Sequence, residues 1–217
     1  MKCCHLTPIV WFFGSVLAFA QAPLPGLRIE PSTGSSILYV HDPAAQPPLT
    51  AFLIELVHYP GSYYQLWEDD ITQPVGPDVE KKIPITNMTV GAVPNYVKVT
   101  AAIYADGATA GVPEKITQLV ERRKFVLKTT REMIQRLEQA RAGGMPAASV
   151  AAALTQRADA LPALTKGTQN SQDAINQSGA KSLMKETASH LSEQTIEQML
   201  TVLHASEAAL ALSKPAL

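Results

Sequence analysis

The stretch TAAIYADGATAGVPEKI, Thr100–Ile116, decides how this chain is read. It enters with a period of two, passes Gly107 and Gly111, and leaves through Pro113 and Glu114 with helical spacing. A strand that turns into a helix at a glycine often binds phosphate, because the first N–H groups of the helix point at the anion. The residues here do not suit that use. A dinucleotide fingerprint needs three glycines at G-x-G-x-x-G, and only Gly107 and Gly111 occur. A P-loop needs Gly-Lys-Ser/Thr where Gly111-Val112-Pro113 stands, and proline removes one of the N–H groups. The stretch therefore reads as a loop over Asp106–Val112 where a β unit gives way to an α unit.

The phrase YADGAT, Tyr104–Thr109, resembles the D-x-D-G-T signature of haloacid-dehalogenase-type phosphatases. In that family the first aspartate is the nucleophile. Here Tyr104 occupies its place and Ala108 follows Gly107. A parallel α/β fold would also need helices between the upstream strands, and the sequence shows none.

Upstream, Ser36–Asp106 alternates like short strands. SILYVH (36–41), TAFLIELVHY (50–59), YYQLWE (63–68), KIPITNMTV (82–90) and YVKVTAAIYA (96–105) are the runs, with a further short strand at Leu27–Glu30. The second is apolar on both faces, as a central strand is. Pro84 places the fourth at an edge or bulge. In the fifth, Val97, Val99, Ala101, Ile103 and Ala105 are expected on one face, opposite Tyr96, Lys98, Thr100 and Tyr104. The expected fold class is α+β: an N-terminal antiparallel β-sandwich, immunoglobulin-like or fibronectin-like, over 36–112, then a helical bundle over 113–213.

Downstream, Ile116, Leu119, Val120, Leu127, Ile134 and Leu137 recur at helical spacing up to Arg141. Pro113 suits the first turn, Glu114 the positive end of the dipole, and Gly143-Gly144 the end. A second helix is predicted over Ala147–Leu161, and a third segment over Gln169–Ser213 with a break near Gly179. That makes three helical segments.

The first residues read MKCCHLTPIVWFFGSVLAFA. Lys2, the apolar run Ile9–Phe19 and the small Ala18 and Ala20 have the layout of a secretory signal peptide over 1–20, cut after Ala20. The apolar run is shorter than the roughly 20 residues a spanning helix needs. A second cut, after Ala22, would leave Pro23 first. Residues 21–35 then form an extended lead-in. Cys3 and Cys4 depart with the signal, so the expected mature chain holds no disulfide, thiolate nucleophile or cysteine–zinc site. No later segment reads as transmembrane.

Charge divides between the halves. Pro23–Pro113 carries nine acids against four bases, whereas Glu114–Arg141 carries eight bases against four acids. The acids interspersed in the basic helix, and export, argue against nucleic acid as a partner. The basic helix is expected to lie against the acidic sandwich, docked mainly through Ile116, Leu119 and Val120.

Several residues are candidates for chemistry. Glu68, Asp69, Asp70, Asp78 and Glu80 offer oxygen ligands for calcium, without the regular spacing of a calcium loop. His41, His58, His190 and His204 lack HExxH spacing. Ser62 and Ser178 lie beside glycines but outside G-x-S-x-G. Glu55, alone in an apolar strand, suits a glycosidase acid, or pairs with Lys98. Tyr59, Tyr63, Tyr64 and Trp67 form an aromatic cluster suited to sugar faces or to core packing. Asn87-Met88-Thr89 is a glycosylation triplet. None of these names a catalytic, cofactor or metal residue. The expected function is an exported, non-catalytic binding or scaffolding protein of a bacterial periplasm or cell surface, with a protein or envelope partner. The alternative is a small secreted hydrolase or glycan-binding protein that uses the sandwich face and the acidic loop.

Overall fold

The structure, a computed structural model, describes residues 22–32, 35–42, 47–57, 63–77, 79–85, 96–163, 165 and 171–216. Residues 1–20, expected to be a signal peptide, and His58, Tyr59, Ser62, Asp78 and the Asn87 triplet lie outside the described residues. Strands β1 (Gly26–Ser32), β2 (Ser35–His41), β3 (Leu49–Val57), β4 (Tyr63–Asp69), β5 (Glu80–Ile85), β6 (Tyr96–Tyr104) and β7 (Thr109–Gly111) come first. They form two antiparallel sheets, ordered β1-β2-β5 and β4-β3-β6-β7. Helices α1 (Pro113–Ala142), α2 (Ala147–Ala160), α3 (Gln172–His190) and α4 (Ile196–Ala211) follow. The α+β class and the order of the two halves are as expected. The β unit begins earlier than residue 36, because the short strand foreseen at Leu27–Glu30 is β1 and occupies part of the stretch read as lead-in.

The two sheets share one core. Leu38, Val40 and Ile83 of the first meet Phe52, Ile54, Leu56, Val99 and Tyr104 of the second. The start of the described chain closes this core: Ala22 and Leu24 pack on it, and the buried Tyr104 hydroxyl donates to the Pro23 carbonyl. Burial pushes the Tyr104 phenol up to about 12.

The second sheet is covered on its other face too. Ala51, Leu53, Ala101 and Ile103 pack against Leu119, with Ile116 and Val120 beside it. This is the docking expected of α1, through the residues expected. It requires a change of parity in β6 that simple alternation did not predict. Val97 and Val99 point into the sandwich, but Ala101 and Ile103 point to the helix. The register of β6 on β3 shifts between Leu53 and Ile54, and the extra residue is Thr100, so the strand's faces exchange at that bulge. A second shift at Thr50 acts likewise near the start of β3. The loop read over Asp106–Val112 is instead a hairpin: Thr109–Gly111 pairs back on Ala101–Ile103 as β7. Gly111 has φ +102, and a β-carbon there would stand 2.2 Å from the Thr100 carbonyl oxygen, so only glycine fits.

The helical half has four helices rather than three segments. α1 packs on both α3 and α4, and α2 on α3. The long third segment does break, but at Leu191–Thr195 and not near Gly179. There the Thr195 side chain accepts from the Gln198 N–H at 3.2 Å, and the Thr195 N–H donates to the Gln198 side chain at 2.9 Å. This capping box starts α4 outright. α3 runs unbroken through Gly179, which is buried against Arg122 and Val126 of α1. Its glycine brings two helices close rather than ending one.

Candidate functional site

The seam between the halves is organised by an arginine. Ile116, Leu119, Val120, Arg123 and Leu127 fall on one stripe of α1, so a cation sits where an apolar residue would be expected. Arg123 is 0 % exposed. Its Nη2 donates to Asp69 Oδ1 at 2.8 Å, and its Nε lies 3.1 and 3.2 Å from the two Asp69 oxygens. Nη1 donates to the Lys214 carbonyl at 2.9 Å, and Nη2 also reaches Thr50 Oγ1 at 3.3 Å. Thr50, the bulged residue, donates in turn to the Ile103 carbonyl. One guanidinium thus ties β4, β3, α1 and the segment after α4 together. From the sequence Arg123 is one of the eight bases of the helix expected to lie against the acidic sandwich. Its place in the apolar stripe was the signal that it is buried.

The other acids of the loop are also engaged. Glu68 pairs with Lys81 at 2.8 Å. Asp70 Oδ1 accepts from the Thr72 hydroxyl and the Gln73 N–H, at 3.0 and 2.9 Å, which fixes the turn. Asp69 faces the seam. Asp70 also lies 3.9 Å from Lys81, so Glu68 and Asp70 share that cation while Asp69 serves Arg123. Among the described residues, no group of three or more histidine, cysteine or acidic side chains is placed to hold a metal ion.

The remaining candidates are dispersed. Glu55 is paired with Lys115 of α1 at 3.5 Å, although Lys98 is its cross-strand neighbour. Tyr64 is exposed and shares a face of β4 with Leu66, whereas Trp67 is half-buried on the other face against the α1 seam, so the aromatic run does not present one face. The Tyr63 side chain lies outside the described residues. His41 is exposed at the end of β2. His190 lies 3.9 Å from Glu186, and His204 is flanked by Glu138 and Glu207 at 3.8 and 3.7 Å, all at the surface of the helices.

Between the halves lies a cleft of about 510 Å³. Its sandwich wall is Glu68–Gln73. Its helical walls are Arg122, Val126 and Thr130 of α1, Gly179, Ser182, Leu183, Glu186, Thr187 and His190 of α3, and Met199, Val202, Leu203, Ser206 and Leu210 of α4. The volume falls within the roughly 300–1,000 Å³ usual for small-molecule sites. Arg122, next in sequence to the buried Arg123, points into it. Burial pushes the Arg122 guanidinium below its ordinary value, while Asp69 and Glu68 act through space to raise it. Its lining mixes apolar side chains such as Val126, Leu183 and Met199 with polar and charged ones, and such a mixture can bind and orient a ligand. Glu55 stands outside this cleft, and His190 is its only imidazole among the described residues.

No protein-family model, curated protein or solved structure matches this chain.

Proposed function

We propose that the chain is an exported, non-catalytic binding or scaffolding protein of a bacterial periplasm or cell surface, with the cleft between its halves as the place where a partner docks. The cleft is the observation that carries this reading. It is walled by both halves, and the buried Arg123–Asp69 pair fixes one half against the other. A site at such a junction is where ligands commonly bind. Export rests on the layout of residues 1–20; a cut after Ala20 would leave the contacts of Ala22 and Pro23 with the core intact, and one after Ala22 would remove part of them.

The β half reads further as an immunoglobulin-like or fibronectin-like sandwich. Lettered A, B, C, C′, E, F and G in chain order, its strands give sheets A-B-E and C′-C-F-G, an arrangement of that class. Such a scaffold hosts many functions and identifies none by itself.

The test places a photo-crosslinking residue at Val202, exposed on the cleft wall, and a control at Met145, exposed beyond the end of α1. In the source organism, the 202 variant should yield an envelope adduct that the 145 variant does not, from chains lacking residues 1–20. Equal adducts from both positions, no adduct from either, or chains retained in the cytosol would contradict the reading.

A further inference from the structure

Arg122 carries more than its place in the wall. Among the described residues its guanidinium makes no hydrogen bond and no ion pair, whereas its neighbour Arg123 uses all three of its nitrogens. The acids nearest in charge contact other cations, Asp69 with Arg123 and Glu68 with Lys81, and act on Arg122 only through space. Arg122 is held in place by packing instead. Its Nε and Cζ lie 3.5 and 3.6 Å from where a β-carbon would stand at Gly179, so the guanidinium lies along α3 in ordinary contact. Beyond it the cleft continues over the apolar side chains of Val126, Leu183 and Leu203. A planar cation with open donors beside an apolar trough matches one ligand chemistry: a carboxylate on an apolar chain, the head taking the bidentate fork and the tail the trough.

The geometry points to Arg122 as the anchor of a site for carboxylate-headed amphiphiles. This rests on the reading of the cleft as a binding site and names the ligand class it takes. The partial burial of Arg122 favours this use, because a desolvated guanidinium gains more from a counterion than an exposed one.

The test is titration calorimetry of the protein lacking residues 1–20 with laurate, dodecanol and dodecylamine, each below its micelle concentration. Laurate should bind best, and dodecylamine worst because it brings like charge to Arg122. Arg122→Gln should weaken laurate about 10- to 100-fold, the worth of a charged hydrogen bond, and leave dodecanol unchanged. Arg122→Lys should keep part of the preference. The comparison of the three probes on the unaltered protein does not depend on any variant folding. If laurate and dodecanol bind equally, with Arg122→Gln affecting neither, the anchor is overturned while the cleft stands as a site. If no probe binds, the amphiphile class is overturned, and the crosslinking at Val202 decides the cleft separately.

Discussion

Asp69 and Arg123 meet through three N–H to oxygen contacts of 2.8 to 3.2 Å, with their side chains 5 % and 1 % exposed. The pair is bidentate, dry and shared with Thr50 and the Lys214 carbonyl, so every part of the arginine fork is used. Such a pair is often no more stabilising than a well-packed apolar equivalent, but breaking it is costly, because the survivor is left charged and buried.

Asp69→Ala should therefore destabilise the protein by about 3–5 kcal/mol, read as a fall in the urea midpoint at constant slope. Asp69→Leu combined with Arg123→Met should recover much of that loss. A cost below about 1 kcal/mol for Asp69→Ala would mean that the pair behaves like an exposed one.

Leu119→Asp should loosen the halves, because Leu119 is fully buried on Ala51, Leu53, Ala101 and Ile103. Fully burying a leucine is worth about 1.5–3 kcal/mol, and an unpaired carboxylate in its place adds to the loss. Proteolysis near the β7–α1 junction should rise in that variant. Salt at about 1 M should not reproduce it, since screening acts on exposed charges far more than on a dry pair. Equal cleavage in the unaltered protein at high salt would show the seam to be electrostatic.

Gly179→Ala should stabilise. The new methyl would meet Arg122 and Val126 at no less than 3.5 Å, ordinary contact, and alanine in a helix interior gains up to about 1 kcal/mol over glycine. A lowered melting temperature would show that α1 and α3 cannot give way even for a methyl.

Asp42 introduces a pH dependence. It is buried, and its carboxylate oxygens have no hydrogen-bond partner among the described residues. Burial raises its pKa above 3.8; the Leu49 N–H, already bonded to Val75, and His41 offset this only in part. A raised folded pKa means that the stabilising protonated form is fully present below the unfolded value and lost as pH rises through the folded one. Asp42→Asn should thus raise the melting temperature at neutral pH and change it little below about pH 3.8. A variant less stable at neutral pH would show that the charged form is held by a partner.

The sequence showed the β-then-α order because the hydrophobic period changes near Gly111, and it showed α1 docking because Ile116, Leu119 and Val120 share a stripe. It did not show the bulges. Thr50 and Thr100 look like ordinary alternating residues, yet each adds one position to its strand and exchanges the faces beyond it. Gly179 misled for a related reason: propensity disfavours glycine in a helix, but packing between α1 and α3 overrides it. The break that does occur was written in Thr195-x-x-Gln198, a capping box. The cleft was not legible, since its walls come from four separate stretches of chain. Arg123 was within reach, as a charge inside an apolar stripe. Arg122 was not, because its open donors depend on which acids its neighbours have taken.

The central claim is that the sandwich and the helices are one body joined at the Arg123 seam, and Trp67 reports on it directly. In a chain starting at Gln21, Trp67 is the sole tryptophan, and it packs against the cluster that binds α1 to the sheet. Its fluorescence follows the seam, while far-ultraviolet circular dichroism follows the helices. Urea unfolding should give coincident curves from the two probes, with one midpoint and one slope. A Trp67 transition well before the loss of helix would contradict the claim, since the halves would then part while the bundle stays folded and the cleft would have no fixed walls.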